Sequence, residues 1–191
     1  MKKKIILIIA VLIVVVIFAA LYCVTLRVKV IPVEASALEL NPEVIQLDNF
    51  SVNIPKGWVK EDSGTDLMMI NPVGIKLSDN ESAIEYFSVK KEQLAGVAIN
   101  KYIENFKSFL DRVTVKSEFT HPENGDFINT LPAFYIESDT ELKGISFKKL
   151  NVMIVEDAGN IWQLNYSVSA ENWSKYKAAY YKSVSQFALK Q

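Results

Sequence analysis

Ile161-Trp162-Gln163-Leu164-Asn165-Tyr166-Ser167-Val168 is the stretch from which the fold can be read. Trp162, Leu164, Tyr166 and Val168 point one way from an extended chain, and Gln163, Asn165 and Ser167 the other. That period of two is the mark of a strand with one face against a core. Before it, Glu156 to Asn160 carries Gly159 and reads as a turn. Ile145 to Val155 then supplies a neighbouring strand. Its apolar phase slips between Phe147 and Leu150, across Lys148-Lys149, which predicts a bulge or a break. After it, Ser169 stands as a helix N-cap, and Trp173, Tyr176, Tyr180, Val184 and Phe187 recur at helical spacing. Trp162 and this stripe are expected to build core. Tyr181 falls off the stripe and is expected at the surface.

Upstream, Phe134 to Thr140 reads as a strand, and Val113, Val115, Ser117 and Phe119 alternate with Thr114, Lys116 and Glu118. Ile99, Tyr102, Ile103, Phe106, Leu110 and Val113 make the apolar stripe of an earlier helix. Ile84 to Val89 is a strand. Leu67 to Ile70 and Val73 to Leu77 flank a break at Asn71-Pro72, and Phe50, Val52 and Ile54 alternate up to a turn at Pro55-Lys56-Gly57. The order is three strands, helix, four strands, helix. Short connections between successive strands imply antiparallel pairing. The fold class is therefore α+β, a central antiparallel sheet with helices packed on it.

Three of these segments resemble PsbP-like domains. Phe50 to Trp58, with Pro55, Gly57 and Trp58, is similar to the strand and turn that open the family's domain. Leu131-Pro132-Ala133-Phe134-Tyr135 is similar to its central strand entry. The Gly159 to Tyr166 strand followed by an aromatic-rich helix matches its C-terminal half. Gln186 separates Ser185 from Phe187, where the family usually has Ser-Phe. The resemblance covers about Asp48 to Leu189 and implies an α/β/α sandwich. The family includes the extrinsic photosystem II subunit and a nuclear-transport regulator that binds Ran, so the resemblance implies binding to another protein. It carries over no site residues.

The N-terminus obeys a different regime. Lys2, Lys3 and Lys4 precede Ile5 to Leu26, which is uncharged over 22 residues, sixteen of them Ile, Leu, Val or Phe. About 20 such residues cross the hydrocarbon core as one helix, with insertion favoured by very roughly 5–10 kcal/mol. Residues 1–29 are thus expected to form a transmembrane anchor with basic flanks. The apolar run exceeds that of a secretory signal, and Ala35-Ser36-Ala37 lies far beyond it, so the anchor is read as uncleaved. Cys23 follows Tyr22 where a lipidated cysteine wants a small neighbour, and reads as a small apolar side chain in the span. Three lysines before the span, against Arg27 and Lys29 after it, favour an inside N-terminus and a domain outside the cytoplasm. Residues 30–47, with Pro32 and Pro42 and no glycine, are expected to be an extended linker, and residues 48–191 the domain.

Chemistry is sparse. The chain has 21 basic and 22 acidic residues, one cysteine and one histidine among 191. Near-neutral charge gives no electrostatic footprint for nucleic acid, and one cysteine excludes a disulfide framework or a multi-cysteine metal site. The glycines form neither a P-loop nor a dinucleotide fingerprint, and no Gly-x-Ser-x-Gly is present. His121 is read as a loop residue without a partner. Glu137, Asp139 and Glu141 share a strand face, but alternate carboxylates stand nearly 7 Å apart, too far for one ion. Asp62 with Asp66, and Asp79 with Glu81, are looser pairs. No catalytic, cofactor or metal residue is assigned. Asn-x-Ser sequons fall at Asn49, Asn80, Asn165 and Asn172, of which Asn80, in a polar turn, is the candidate glycosylation site.

The expectation is a single-pass membrane protein whose extracytoplasmic domain is a binding or accessory module for an envelope protein or complex, without a cofactor. The alternatives are a small-molecule or lipid-binding domain with a pocket between sheet and helix, and a hydrolase whose acids carry no motif.

Overall fold

The computed structural model describes residues 42–72, 74, 85–120 and 126–190. The expected span Ile5 to Leu26, with Cys23, lies outside these residues, as do Val73, Ile75 to Leu77, Asp79, Asn80, Glu81 and His121. Among the described residues no helix is long and apolar enough to cross a membrane.

Five strands precede the first helix: β1 (Pro42–Gln46), β2 (Phe50–Pro55), β3 (Val59–Lys60), β4 (Leu67–Ile70) and β5 (Tyr86–Gln93). Helix α1 (Ile99–Val113) leads to β6 (Lys116–Thr120), β7 (Phe127–Ile128), β8 (Leu131–Leu142), β9 (Ile145–Val155) and β10 (Asn160–Ser169). A short 3-10 turn, Ala170–Asn172, joins β10 to α2 (Trp173–Ser185), and β11 (Ala188–Leu189) closes the chain. Eight strands form one sheet, in the order β3-β4-β5-β10-β9-β8-β6 with β7 attached to β8; β1, β2 and β11 form a second. Every pair is antiparallel.

The strand quoted first becomes β10, near the middle of the large sheet. Its Trp162, Leu164, Tyr166 and Val168 join α2 and β2 in one core, with Tyr176, Tyr180 and Phe187 all buried. The other face is covered by α1, whose Ile103 and Leu110 pack on Met153, Val155 and Ile161. The two helices thus lie on opposite faces, as the resemblance implied.

This double cover corrects the expected bulge at Lys148-Lys149. β9 pairs without interruption from Ile145 to Ile154 against β8, and from Phe147 to Val155 against β10. Leu150, Val152 and Ile154 face the α2 side, and Met153 and Val155 the α1 side. The phase change marks where the second face becomes covered, and the backbone stays regular. Lys148 bonds Asp139 at 2.6 Å, and Lys149 lies over the rings of Phe147 and Tyr86.

Three further expectations change. β1 falls inside the stretch read as linker, because Ile45 and Leu47 pack against the core when Pro42–Gln46 pairs with β2. β6 starts at Lys116, since α1 keeps Val113, and Thr114 closes it by donating both its N–H and its hydroxyl to the Leu110 carbonyl. Ser169 does not cap α2. Its hydroxyl donates at 3.1 Å to the carboxylate of Glu85, a residue only 2 % exposed.

Glu85 staples the start of β5 to the end of β10. Asn71 Nδ2 donates to it at 2.7 Å and Asn172 Nδ2 at 3.4 Å. A Cβ on Gly74 would lie 2.8 Å from Glu85 Oε2, so this packing requires glycine there. The groups that bond the carboxylate here are all donors, which calls for an acceptor-only side chain. Glu85→Gln turns one oxygen into an NH2 facing another donor. It is expected to cost about 1–3 kcal/mol, measured by equilibrium denaturation. A cost near zero would show that the staple carries no stability.

Candidate functional site

Among the described residues, a concavity lies between the first turn of α1 and the corner where β6, β7 and β8 meet. It encloses about 560 Å³. Ile103, Phe119, Phe127 and Phe134 give it apolar walls, with Asn100 and Glu104 from α1 and Asp126 at its border. Phe119 and Phe127 are 45 % and 63 % exposed, unusual for phenylalanine, whereas the side chains of the two cores beneath are buried. Phe127 is held there by a two-residue hairpin, Asn129-Thr130, with both residues at positive φ (47° and 73°). Such loops match the twist of paired strands but suit glycine or asparagine, and β-branched Thr130 is strained there. Asn129 anchors the hairpin by donating to the Phe187 carbonyl at 2.7 Å.

On the opposite face of the same corner sits a polar cluster. Tyr181 donates to Glu137 at 2.7 Å, shares a hydrogen bond with Thr120 at 2.9 Å, and stacks on Tyr135 at 5.8 Å. Lys177 completes it, 2.8 Å from Glu137 and over the rings of Trp173 and Tyr181. Burial raises the Tyr181 hydroxyl, and the Glu137 carboxylate adds to the effect. Tyr135 is pushed up to about 12, by burial first and by Asp126 second. A tyrosine held neutral in this way is a hydrogen-bond donor and a poor general base. The expectation that Tyr181 is exposed is therefore corrected: being off the α2 stripe turns it toward β8 and β6, whose edge still covers it.

Several of the described acidic residues have partners of their own. Glu137 is occupied by Lys177 and Tyr181, Asp139 by Lys148, and Asp66 accepts the Lys91 backbone N–H at 2.6 Å. Among the described residues no three His, Cys, Asp or Glu side chains could hold a metal ion together. The described sequon asparagines differ: Asn49 is exposed, while Asn165 lies inside β10 and Asn172 bonds Glu85. Sequence reasoning missed the groove, because Phe119 and Phe127 belong to different strands and nothing local marks them as neighbours. It missed Glu85 because one acid before a strand gives no signal of burial.

No protein-family model matches the chain, and no curated protein matches it in sequence. Solved structures do match in shape. The cyanobacterial PsbP protein CyanoP of Synechocystis sp. PCC 6803 is similar over 78 % of this chain and 92 % of its own, with TM-score 0.52 and 13 % identity. LpqN of Mycobacterium tuberculosis, which is involved in cell envelope biogenesis, is similar over 78 % and 91 %, with TM-score 0.52 and 10 % identity. At such identities the likeness concerns the fold alone, and the fold of this chain is PsbP-like.

Proposed function

We propose that the protein is held in the membrane by Ile5 to Leu26, presents its PsbP-like domain outside the cytoplasm, and acts there as a binding or accessory module for an envelope protein. The observation that carries the binding role is the open groove with exposed Phe119 and Phe127, set on a domain whose core side chains are almost wholly buried. Exposed aromatics at the rim of a concavity are the usual anchors of protein interfaces. Support for the setting comes from the apolar N-terminal run and from the fold shared with LpqN. A small-molecule or lipid ligand is the second reading, favoured by the groove's volume, which falls in the range of ligand pockets.

A photo-reactive phenylalanine analogue in place of Phe127, in the full-length protein in cells, separates these readings. The expected result is one reproducible protein adduct that disappears with Phe119→Glu. A lipid or metabolite adduct would transfer the assignment to the second reading. Adducts indifferent to Phe119→Glu would remove the groove from either. Protease added outside intact cells should digest the domain, and a protected domain would overturn the placement.

A further inference from the structure

The large sheet has two edges, and they differ. β3 offers two residues, too short to template another strand. β6 offers five, and no strand of the described residues covers its outer side. Its side chains alternate between the layers. Ser117 bonds Asp111 of α1, which puts Ser117 and Phe119 on the α1 face, and the same alternation carried one residue before the strand assigns Val115 to it. Thr120 bonds Tyr181 of α2, which puts Lys116 and Glu118 on the other. Val115 is 73 % exposed, although its neighbours in the fold are sheet and helix.

We propose that β6 is the seam of a two-fold homodimer, in which residues 115–119 of one copy pair antiparallel with the same residues of a second, Ser117 opposite Ser117. The segment is complementary to itself in that register. Each Lys116 stands opposite the partner copy's Glu118, and each Val115 opposite the partner copy's Phe119. Opposite charges and aromatic–β-branched pairs are the favourable cross-strand combinations. A two-fold axis perpendicular to the sheet keeps each residue on its own face, so the neighbouring registers differ by one residue in each strand. Those registers oppose Lys116 to Lys116 or Glu118 to Glu118, and like charges reject them. The Lys116–Glu118 ion pair within one copy, 2.7 Å, becomes part of a four-charge cluster across the seam. The eight-stranded sheets of the two copies join into one. Five residues a side make a small interface, of the class of weak and transient pairs.

The test uses the full-length chain in membranes, with Cys23→Ala to remove the native thiol. Ser117→Cys brings two thiols across the axis, with Cβ atoms about 5 Å apart, and oxidation is expected to give a disulfide-linked dimer. Thr120→Cys places its two thiols roughly 20 Å apart along the strands and should stay monomeric. Lys116→Glu in the Ser117→Cys chain should lower the dimer yield about tenfold. Adding Glu118→Lys should restore it, because the charges again oppose. A Ser117→Cys yield no higher than that of Thr120→Cys, or one indifferent to charge reversal, overturns the proposal. A disulfide to a different polypeptide also overturns it, and shows that β6 pairs with a foreign strand. Where Ser117→Cys disturbs folding, zero-length crosslinking of an isotopically mixed sample of the unaltered chain gives the same answer. A mixed-isotope Lys116–Glu118 link is expected, and links found only within single-isotope chains would refute the seam.

Discussion

Raising the pH from about 10 to about 12 is expected to unfold the domain in one cooperative step. Tyr135, Tyr166, Tyr176 and Tyr180 are each no more than 4 % exposed. Burial raises all four hydroxyls, Tyr135 and Tyr176 to about 12, with Glu85 adding to the effect on Tyr176 and Tyr180. In the unfolded chain they ionise near 10. The folded values are the higher ones, so the unfolded state loses its protons first. The stability these groups give is whole below 10 and is lost as pH climbs toward the folded values. Each tyrosine forfeits about 1.4 kcal/mol per pH unit in that window. Four together lose about 5 kcal/mol by roughly pH 11, comparable with the total stability of many domains. Tyr180 sharpens the effect, since its buried hydroxyl has no hydrogen-bond partner among the described residues and an oxyanion there would have none among them either. Tyrosinate absorbance and circular dichroism should change together over a narrow interval. A broad tyrosinate titration that leaves the circular dichroism unchanged would show that these hydroxyls reach water in the folded state.

Trp162→Ala is expected to cost about 3–5 kcal/mol and to leave a protein near the threshold of folding. Trp162 is 2 % exposed at the junction of three elements. It meets Phe50 of β2 edge-on at 5.2 Å and Phe187 at 5.9 Å, so its ring joins the small sheet to the large one. Its indole N–H donates to Glu156 at 2.9 Å, and Lys91 lies over the ring while bonding the same carboxylate. Trp162→Phe keeps most of the buried area and gives up the N–H bond, for which about 1 kcal/mol is expected. Denaturant midpoints of the two variants should therefore lie well apart. Equal midpoints would mean that the cavity left by alanine collapses.

The sequence pattern carries the fold where apolar residues hold one face and polar residues the other. β10 was legible for that reason, although its Gln163 and Ser167 are buried as well, and so were β2 and the buried stripe of α2. It failed at β9, where covering both faces erased the alternation that locates a strand's phase and made a regular ladder look bulged. At 113–115 two periods overlap, and the helix prevailed over the strand because Thr114 could close it against Leu110. Tyr181 was misread because a helical wheel knows its own core stripe and nothing of the strand edge beside it. The groove was invisible for a related cause. Its walls come from α1, β6, β7 and β8, and only tertiary structure sets Phe119 near Phe127.

β1 decides how the domain answers a pull. The described chain enters the fold through five paired residues, which among the described strands pair with β2 alone and lie at the outside of the small sheet. Pro42 and Pro55 face each other at the end where tension enters, and neither has an N–H to contribute there. Force directed across the ladder breaks its bonds one at a time, beginning at that weak end, and releases about 17 Å of slack before it loads β2. β11 still holds the other side of β2 through Ala188 and Leu189, and the Lys190 N–H still bonds the Asn49 carbonyl. The hairpin is a mechanical fuse, which lengthens under load and takes Ile45 off the margin of one core, while the groove, made by α1, β6, β7 and β8, is left in place.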